Sequence, residues 1–371
     1  MAVYRIFPEN DAFISTEDVL GNAGKDEILE LGGYPNISDV GQTSRILIKF
    51  NTAEVKDVIS TKIGEIPYSA SIGLYLADAY EVPVDYSIYA YPIYGIWDNG
   101  VGKFGDIPSN GTGVSWQYRQ AGQTNSWITG SSYPAGVTGS FRVPLTGGGN
   151  WYTASDGVGS LESIQTHTLN SSHDVNIDVS KAIDLINTDV LDNNGFILKL
   201  SDEIEAGDTY NTRLKYYGVD TNTIYPPFLE FKWDDSEFVT GSLSVLANDI
   251  STINITNNKG KYTDVGKQRF KIAAKPKYPA RTFTTSSVYL TNYALPSASY
   301  WGLRDENTEE MVIDFDTTAT KISCNGTSSF FDIYMDGLQP ERYYRILVKT
   351  ELEGSTVVVD NQNIFKVVRN G

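Results

Sequence analysis

Arg45-Ile-Leu-Ile-Lys-Phe50 is a short apolar segment set between clusters of turn-forming residues, and the first 230 or so residues repeat that arrangement. Ile72-Gly-Leu-Tyr-Leu-Ala77, Ser87-Ile-Tyr-Ala-Tyr91 and Asp174-Val-Asn-Ile-Asp-Val179 read the same way, as short strands of a sandwich. Gly195-Phe-Ile-Leu-Lys-Leu200, Arg213-Leu-Lys-Tyr-Tyr217 and Phe228-Leu-Glu-Phe-Lys-Trp233 complete a pair of sheets. Between them, Gly-rich stretches over 98–113 and 130–149 are too long for hairpin turns and read as surface excursions. Ser180-Lys-Ala-Ile-Asp-Leu-Ile-Asn187, with Ala182, Ile183 and Ile186 on one face and Ser180 as N-cap, is the helix expected here.

The acidic stretch Asp234-Asp-Ser-Glu-Phe-Val-Thr-Gly-Ser242 marks a domain boundary. Beyond it strands are expected at Leu243–Leu246, Gln268–Ala274, Met311–Phe315, Phe330–Met335 and Tyr344–Lys349. The chain is therefore read as all-β, with one domain over 1–236 and a second over 237–371 that carries an insertion around 275–301. Within that insertion, Arg281–Leu295 is either a buried strand pair or an edge that adds to a neighbour's sheet.

Composition narrows function. The 371 residues hold 46 acidic and 29 basic side chains, a net charge of −17 that opposes docking on phosphate backbones or anionic membrane, so no nucleic acid or membrane partner is expected. A lone cysteine, Cys324, rules out an internal disulfide, and two histidines, His167 and His173, leave little for His-based catalysis. No basic and apolar leader follows Met1, so no signal peptide is expected, and no apolar run reaches 18 residues. Carboxylate pairs such as Asp18 with Asp26 or Asp174 with Asp178 arise readily among 46 acids, and no phosphate loop, His-Glu-x-x-His or dinucleotide fingerprint is present. The chain is read as no enzyme.

Two resemblances add to this reading. Gly337-Leu-Gln-Pro-Glu-Arg-Tyr-Tyr-Arg345 resembles the tyrosine corner of immunoglobulin and fibronectin III-like sandwiches, with Tyr343 or Tyr344 as the structural tyrosine. An ordered set of phrases resembles the DNRLRE-type jelly-roll domain, which is similar to carbohydrate-binding modules. It includes Asp11-Ala-Phe-Ile14, Asn22-Ala-Gly-Lys-Asp-Glu-Ile-Leu29, Trp97-Asp-Asn-Gly-Val-Gly102, Gly113-Val-Ser-Trp-Gln-Tyr118, Trp127-Ile-Thr129, Asn194-Gly-Phe-Ile-Leu-Lys199 and Pro227-Phe-Leu-Glu-Phe231. The expected fold is an N-terminal jelly-roll β-sandwich followed by an immunoglobulin/fibronectin III-like β-sandwich.

That combination resembles structural proteins of tailed bacteriophages. It implies a non-enzymatic virion component at neck, tail or capsid decoration, made in the host cytoplasm and bound to other virion proteins in many copies and a symmetric assembly. The alternative is a carbohydrate-binding module that engages host surface polysaccharide. Trp97, Trp116, Tyr118 and Trp127 are either an aromatic platform for sugar rings or a fold element that packs an excursion onto the sandwich. Trp151 and Tyr152, after Gly147-Gly-Gly-Asn150, are expected to be exposed as a glycan or partner contact. No cofactor is expected; a structural calcium would suit a jelly roll, with no Asp-x-Asp-x-Asp-Gly loop to specify it.

Overall fold

The computed structural model of the chain describes residues 2–34, 42–106, 111–120, 122, 125–128, 141–142, 144, 147–155, 158–205, 211–248, 251–278 and 291–370. The protein is all-β. It divides into two compact units: one is Ile6–Gly64 with Ser69–Glu230, the other Phe231–Gly371 with Met1–Arg5 and Glu65–Tyr68.

The strands of the first half are β1 (Ala2–Ile6), β2 (Asn10–Ser15), β3 (Ile28–Tyr34), β4 (Gln42–Lys49), β5 (Tyr68–Leu74), β6 (Leu76–Tyr80) and β7 (Tyr86–Pro92). Short strands β8 (Phe141–Arg142), β9 (Trp151–Tyr152), β10 (Ala154–Ser155) and β11 (Gly159–Ser160) precede β12 (Ser163–His167), β13 (Val175–Asp178), β14 (Phe196–Leu200), β15 (Thr212–Tyr217) and β16 (Phe228–Trp233). A curled antiparallel sheet has the order β12-β7-β14-β4-β3-β15-β6, with β2 on β4, and a four-stranded sheet has the order β1-β16-β5-β13. Together they form the jelly-roll-type sandwich.

β14 shows why the fold closes: all five of its residues are buried between β7 and β4, with Ile197 opposite both Tyr91 and Leu47. The segment read as one strand over Ile72–Ala77 is broken at Tyr75, where the chain leaves the four-stranded sheet as β5 and enters the curled sheet as β6. Helix α1 (Thr52–Asp57) was not foreseen. Asn51 caps it through the amides of Ala53 and Glu54, and the Asn51-x-x-Glu54 spacing is the signal that marks it. Helix α2 (Ser180–Asn187) lies where expected, but Val179 occupies the N-cap position and the Ser180 hydroxyl instead accepts the amide of Ala70 at 2.8 Å. A third, short helix, α3, spans Asp202–Glu205.

The other unit is an immunoglobulin-like sandwich. Its strands are β17 (Phe238–Val239), β18 (Ser251–Ile255), β19 (Lys261–Thr263), β20 (Lys267–Pro276), β21 (Tyr300–Asp305), β22 (Met311–Ile313), β23 (Ser323–Asn325), β24 (Ser329–Tyr334), β25 (Tyr343–Leu352) and β26 (Ser355–Val368). The sheets are β17-β23-β24-β20-β18 and β19-β26-β25-β21-β22. Alternate residues of both enter one core, where Phe331 stacks on Phe270 and Trp301 at 5.5 and 5.4 Å between ring centres and Phe365 meets Phe270 at 5.6 Å.

Leu243–Leu246 forms no strand; Val245 makes an isolated parallel bridge with Ala294. Of the expected insertion, 279–290 lies outside the described residues. Its return leg is part of the core: Tyr293 donates its amide to the Ala274 carbonyl at 2.8 Å, and Ala294 and Leu295 are buried. No helix among the described residues is long and apolar enough to cross a membrane.

Candidate functional site

Arg45 on β4 is a charge inside an apolar run, and what surrounds it defines the most elaborate side-chain constellation of the jelly-roll unit. Its Nε and Nη2 donate to Oε1 and Oε2 of Glu205 at 3.0 and 2.8 Å, and its Nη1 donates to the Gly148 carbonyl at 2.6 Å. The guanidinium carbon lies 5.0 Å from the ring centre of Trp116 and 5.1 Å from that of Trp151. Lys199 on β14 extends the network, 3.3 Å from Glu205 Oε2 and 2.6 Å from Asp202 Oδ1. The hydrogen bond from Lys199 holds the Asp202 carboxyl below its usual range. Arg45, Lys199 and Glu205 are all buried, so each charge there has a partner of opposite sign.

Gly147, Gly148 and Gly149 take positive φ, and a Cβ on Gly148 would stand 2.6 Å from Trp116 and 2.8 Å from Arg45 Nη1. Only glycine lets the backbone come close enough for its carbonyl to bind the guanidinium.

The predicted aromatic residues gather here, but not as a platform. Trp97, Trp116, Trp127 and Trp151 belong to one cluster with Ala12, Ile14, Leu47, Tyr91, Ile93 and Ile197, and every one of the four indoles is at most 5% exposed. The Trp97 indole donates to the Asn194 carbonyl at 2.7 Å and that of Trp127 to the Ser115 carbonyl at 3.0 Å. Tyr118 is half-buried and bridges Ser126. Trp151 and Tyr152, expected outside, are buried: β9 bridges Ile93, and Tyr152 packs edge-on against Tyr94 with its phenol pushed up to about 12 by burial. The physical reason is that Ile93 and Trp151 join the two ends of the excursion, so its aromatic rings fold back over the sheet face.

Asn22 performs the same fastening at a neighbouring loop. Its Nδ2 donates to the carbonyls of Asn99 and Val114 at 2.7 and 2.9 Å, while Oδ1 accepts the Gly102 amide at 2.8 Å. Segments around Asn22, Asn99 and Val114, far apart in sequence, thus meet one another through hydrogen bonds.

Of the tyrosines near the Leu-x-Pro turn, Tyr344 is the corner: it is buried, its hydroxyl donates to the Gln339 carbonyl at 2.9 Å, and burial raises its pKa. Tyr343 is 46% exposed, with Lys366 Nζ 5.5 Å from its ring centre. The carboxylates considered as pairs bind backbone amides: Asp18 accepts that of Gly21 and Asp178 that of Ser180 within their own turns, and Asp26 that of Phe104 and Asp174 that of Leu76 across the fold. Among the described residues no three His, Cys, Asp or Glu side chains gather as cation ligands.

An open groove of about 320 Å³ lies elsewhere on the curled sheet, lined by Asp78 and Tyr80 of β6 and by Asn211, Arg213 and Lys215. Register places Arg213 opposite Tyr80 and Lys215 opposite Asp78. Tyr80 is 55% exposed and Arg213 is drawn to Glu30 at 3.4 Å. Sequence reading missed Arg45, Lys199 and Glu205 as a network, although a cation inside Ile- and Leu-rich strands signals a buried partner. It also missed the groove, whose residues come together only through strand register.

No protein-family model matches the chain, and no curated protein matches it. Among solved structures, a DUF4785 family protein from Legionella pneumophila subsp. pneumophila str. Philadelphia 1 is similar at 9% identity and a TM-score of 0.18, over 97% of this chain. This chain spans 65% of the length of that protein.

Proposed function

We propose that the chain is a non-enzymatic structural protein that works through protein–protein interfaces, as a component of a bacteriophage particle at its neck, tail or capsid surface. The observation that carries this reading is the inward turn of the large aromatics. Rings suited to stacking on a ligand are instead packed into the core of the sandwich, with Trp116 and Trp151 against Arg45, which leaves none of these four indoles at the surface. Rigid sandwiches lose little entropy on docking and suit repeated, symmetric contacts with other virion proteins. The phage assignment itself rests on the sequence resemblance and on the acidic, cysteine-poor composition. Mass spectrometry and cryo-EM of purified particles test it: ordered density at a fixed place supports the reading, and absence from particles sinks it.

A second reading, carbohydrate binding, moves off the tryptophans and onto the β6–β15 groove. There an exposed Tyr80 ring stands beside Asp78, Asn211, Arg213 and Lys215, an apolar face next to donors and acceptors held on strands. A glycan array with the full chain and Tyr80→Ala checks it; signal that survives the substitution counts against this groove.

A further inference from the structure

Both histidines of the chain meet on one tyrosine. Tyr86, at the start of β7, stacks on His167 with ring centres 4.7 Å apart and planes 8° apart, and lies 5.8 Å from His173. His167 ends β12, where it sits directly opposite Tyr86, and His173 lies in the turn that leads to β13. The Tyr86 hydroxyl and His173 Nδ1 share a hydrogen bond of 2.8 Å, and the Tyr216 hydroxyl of β15 donates to the His173 carbonyl at 3.2 Å.

The protonation chemistry of His167 is fixed by its contacts. Its Nδ1 lies 2.9 Å from the Ser172 carbonyl, which can only accept, so Nδ1 carries the hydrogen and Nε2 is the basic nitrogen. Nε2 is buried and has no hydrogen-bond partner among the described residues, in a residue with no exposed surface. A proton added there creates a buried N–H without an acceptor and a cation within the ring stack. Among the described residues, the titratable groups that act on it are Tyr86 from β7 and His173 and Asp174 from the turn, with Tyr216 from β15 one step away on the His173 carbonyl. Asp174 is the one carboxylate among them, and its oxygens already accept the Leu76 amide at 2.8 Å and the Ser172 hydroxyl at 3.0 Å.

We propose that this stack is an acid-sensitive latch, in which protonation of His167 at Nε2 releases strand β12 and the turn Thr168–Asp174 from Tyr86. β12 is the element able to yield. It is the terminal strand of its sheet, pairs there among the described residues with β7 alone, and is half exposed, with Ile164 at 49%. Among the described residues it is tied to β13 only through the Gln165 side chain, which accepts the Asn176 amide at 2.6 Å and donates to the Asp174 carbonyl at 3.0 Å. Its release bares the β7 edge from Tyr86 to Ala90, which can then pair with a strand of a partner. Desolvation holds the His167 imidazolium disfavoured while the latch is closed. The inference is independent of the assembly reading.

Because the chain has two histidines, the imidazole Cε1–H region of its NMR spectrum holds two signals, and the full chain can be titrated from pH 8 to 5 beside amide hydrogen exchange. The expected result is one imidazole whose midpoint lies below the free-histidine range. Opening of Ile164–His167, corrected for intrinsic exchange, then rises by up to about tenfold per pH unit below about 6.5 while β14 stays protected. His167→Asn keeps a donor toward the Ser172 carbonyl and removes the basic nitrogen, and flattens the response. Should that variant fail to fold, His173→Asn, which leaves His167 in place, retains the response. A flat exchange profile for β12 in the wild type, or an unchanged acid response in His167→Asn, overturns the proposal.

Discussion

Arg45 and Glu205, 160 residues apart in sequence, meet as a buried bidentate pair with Nε–Oε1 at 3.0 Å and Nη2–Oε2 at 2.8 Å. A buried pair of this kind returns little net stability against well-packed apolar residues, since desolvation offsets the Coulomb gain. Its importance is conditional: once one partner is removed, the other is stranded. Arg45→Ala leaves Glu205 with Lys199 alone and also empties the space between Trp116 and Trp151. We expect a loss of about 3 kcal/mol, the low end for breaking a buried pair because Lys199 remains at 3.3 Å. Urea unfolding of the full chain followed by tryptophan fluorescence reads this directly, and a loss below about 1 kcal/mol would show that the network is ornamental.

Two glycines of like backbone but unlike surroundings separate strain from crowding. Gly148 has φ +81 and its Cβ position lies 2.6 Å from Trp116, whereas Gly159 has φ +83 with nothing within 4 Å. Gly159→Ala should cost about 1 kcal/mol, the left-handed penalty alone. Gly148→Ala should cost that plus roughly 1–3 kcal/mol of overpacking, and should shift tryptophan emission because Trp116 must move. Equal losses in the two variants would contradict the close approach.

In the immunoglobulin-like unit, the hydroxyl of Tyr344 is bonded to the Gln339 carbonyl and that of Tyr343 is at the surface. Tyr344→Phe should therefore destabilise by about 1 kcal/mol and Tyr343→Phe by close to nothing. Differential scanning calorimetry of both variants distinguishes them, and a reversed order would place the corner on the wrong tyrosine.

Most strands were legible in sequence because alternation and turn clusters are local. Phe228–Trp233 is a strand at the bounds read from its sequence, and Ser180–Asn187 is the helix expected. The break at Tyr75 was not legible, since a strand that changes sheets keeps its local pattern and differs only in its partners. Burial of Trp151 and Tyr152 was illegible for a related reason. Whether an aromatic faces water depends on what the chain lays over it, and here Ile93 and Trp151 close an excursion of more than fifty residues. The ionic network was half legible: Arg45 and Lys199 stand out within apolar strands, but Glu205 lies in a four-residue helix whose sequence, Asp-Glu-Ile-Glu, names no partner.

Acid and base act on this fold in opposite senses through Asp11 and His167. Asp11 is buried on β2, where its Oδ2 accepts the Val219 amide at 2.7 Å, and burial raises its pKa from the usual 3.8 to about 7 against the pull of that bond and of Lys25. Between those values the folded chain holds a proton that the unfolded chain has lost, so this group's contribution to stability falls as pH rises from about 4 to 7. His167 is lowered by burial, so below about 6.5 the unfolded chain takes up a proton first, and its contribution falls as pH drops. Asp11→Asn keeps an oxygen to accept the Val219 amide and removes the titration. The wild type minus variant difference in unfolding free energy should move steadily against the wild type from pH 4 to 7 and level off above it. Removing His167 as His167→Asn should instead flatten the acid limb. Denaturation midpoints at half-unit pH steps for the wild type and both variants test the pair; a difference for Asp11→Asn that is constant with pH would mean that Asp11 is ionised throughout, with the Val219 amide and Lys25 outweighing burial.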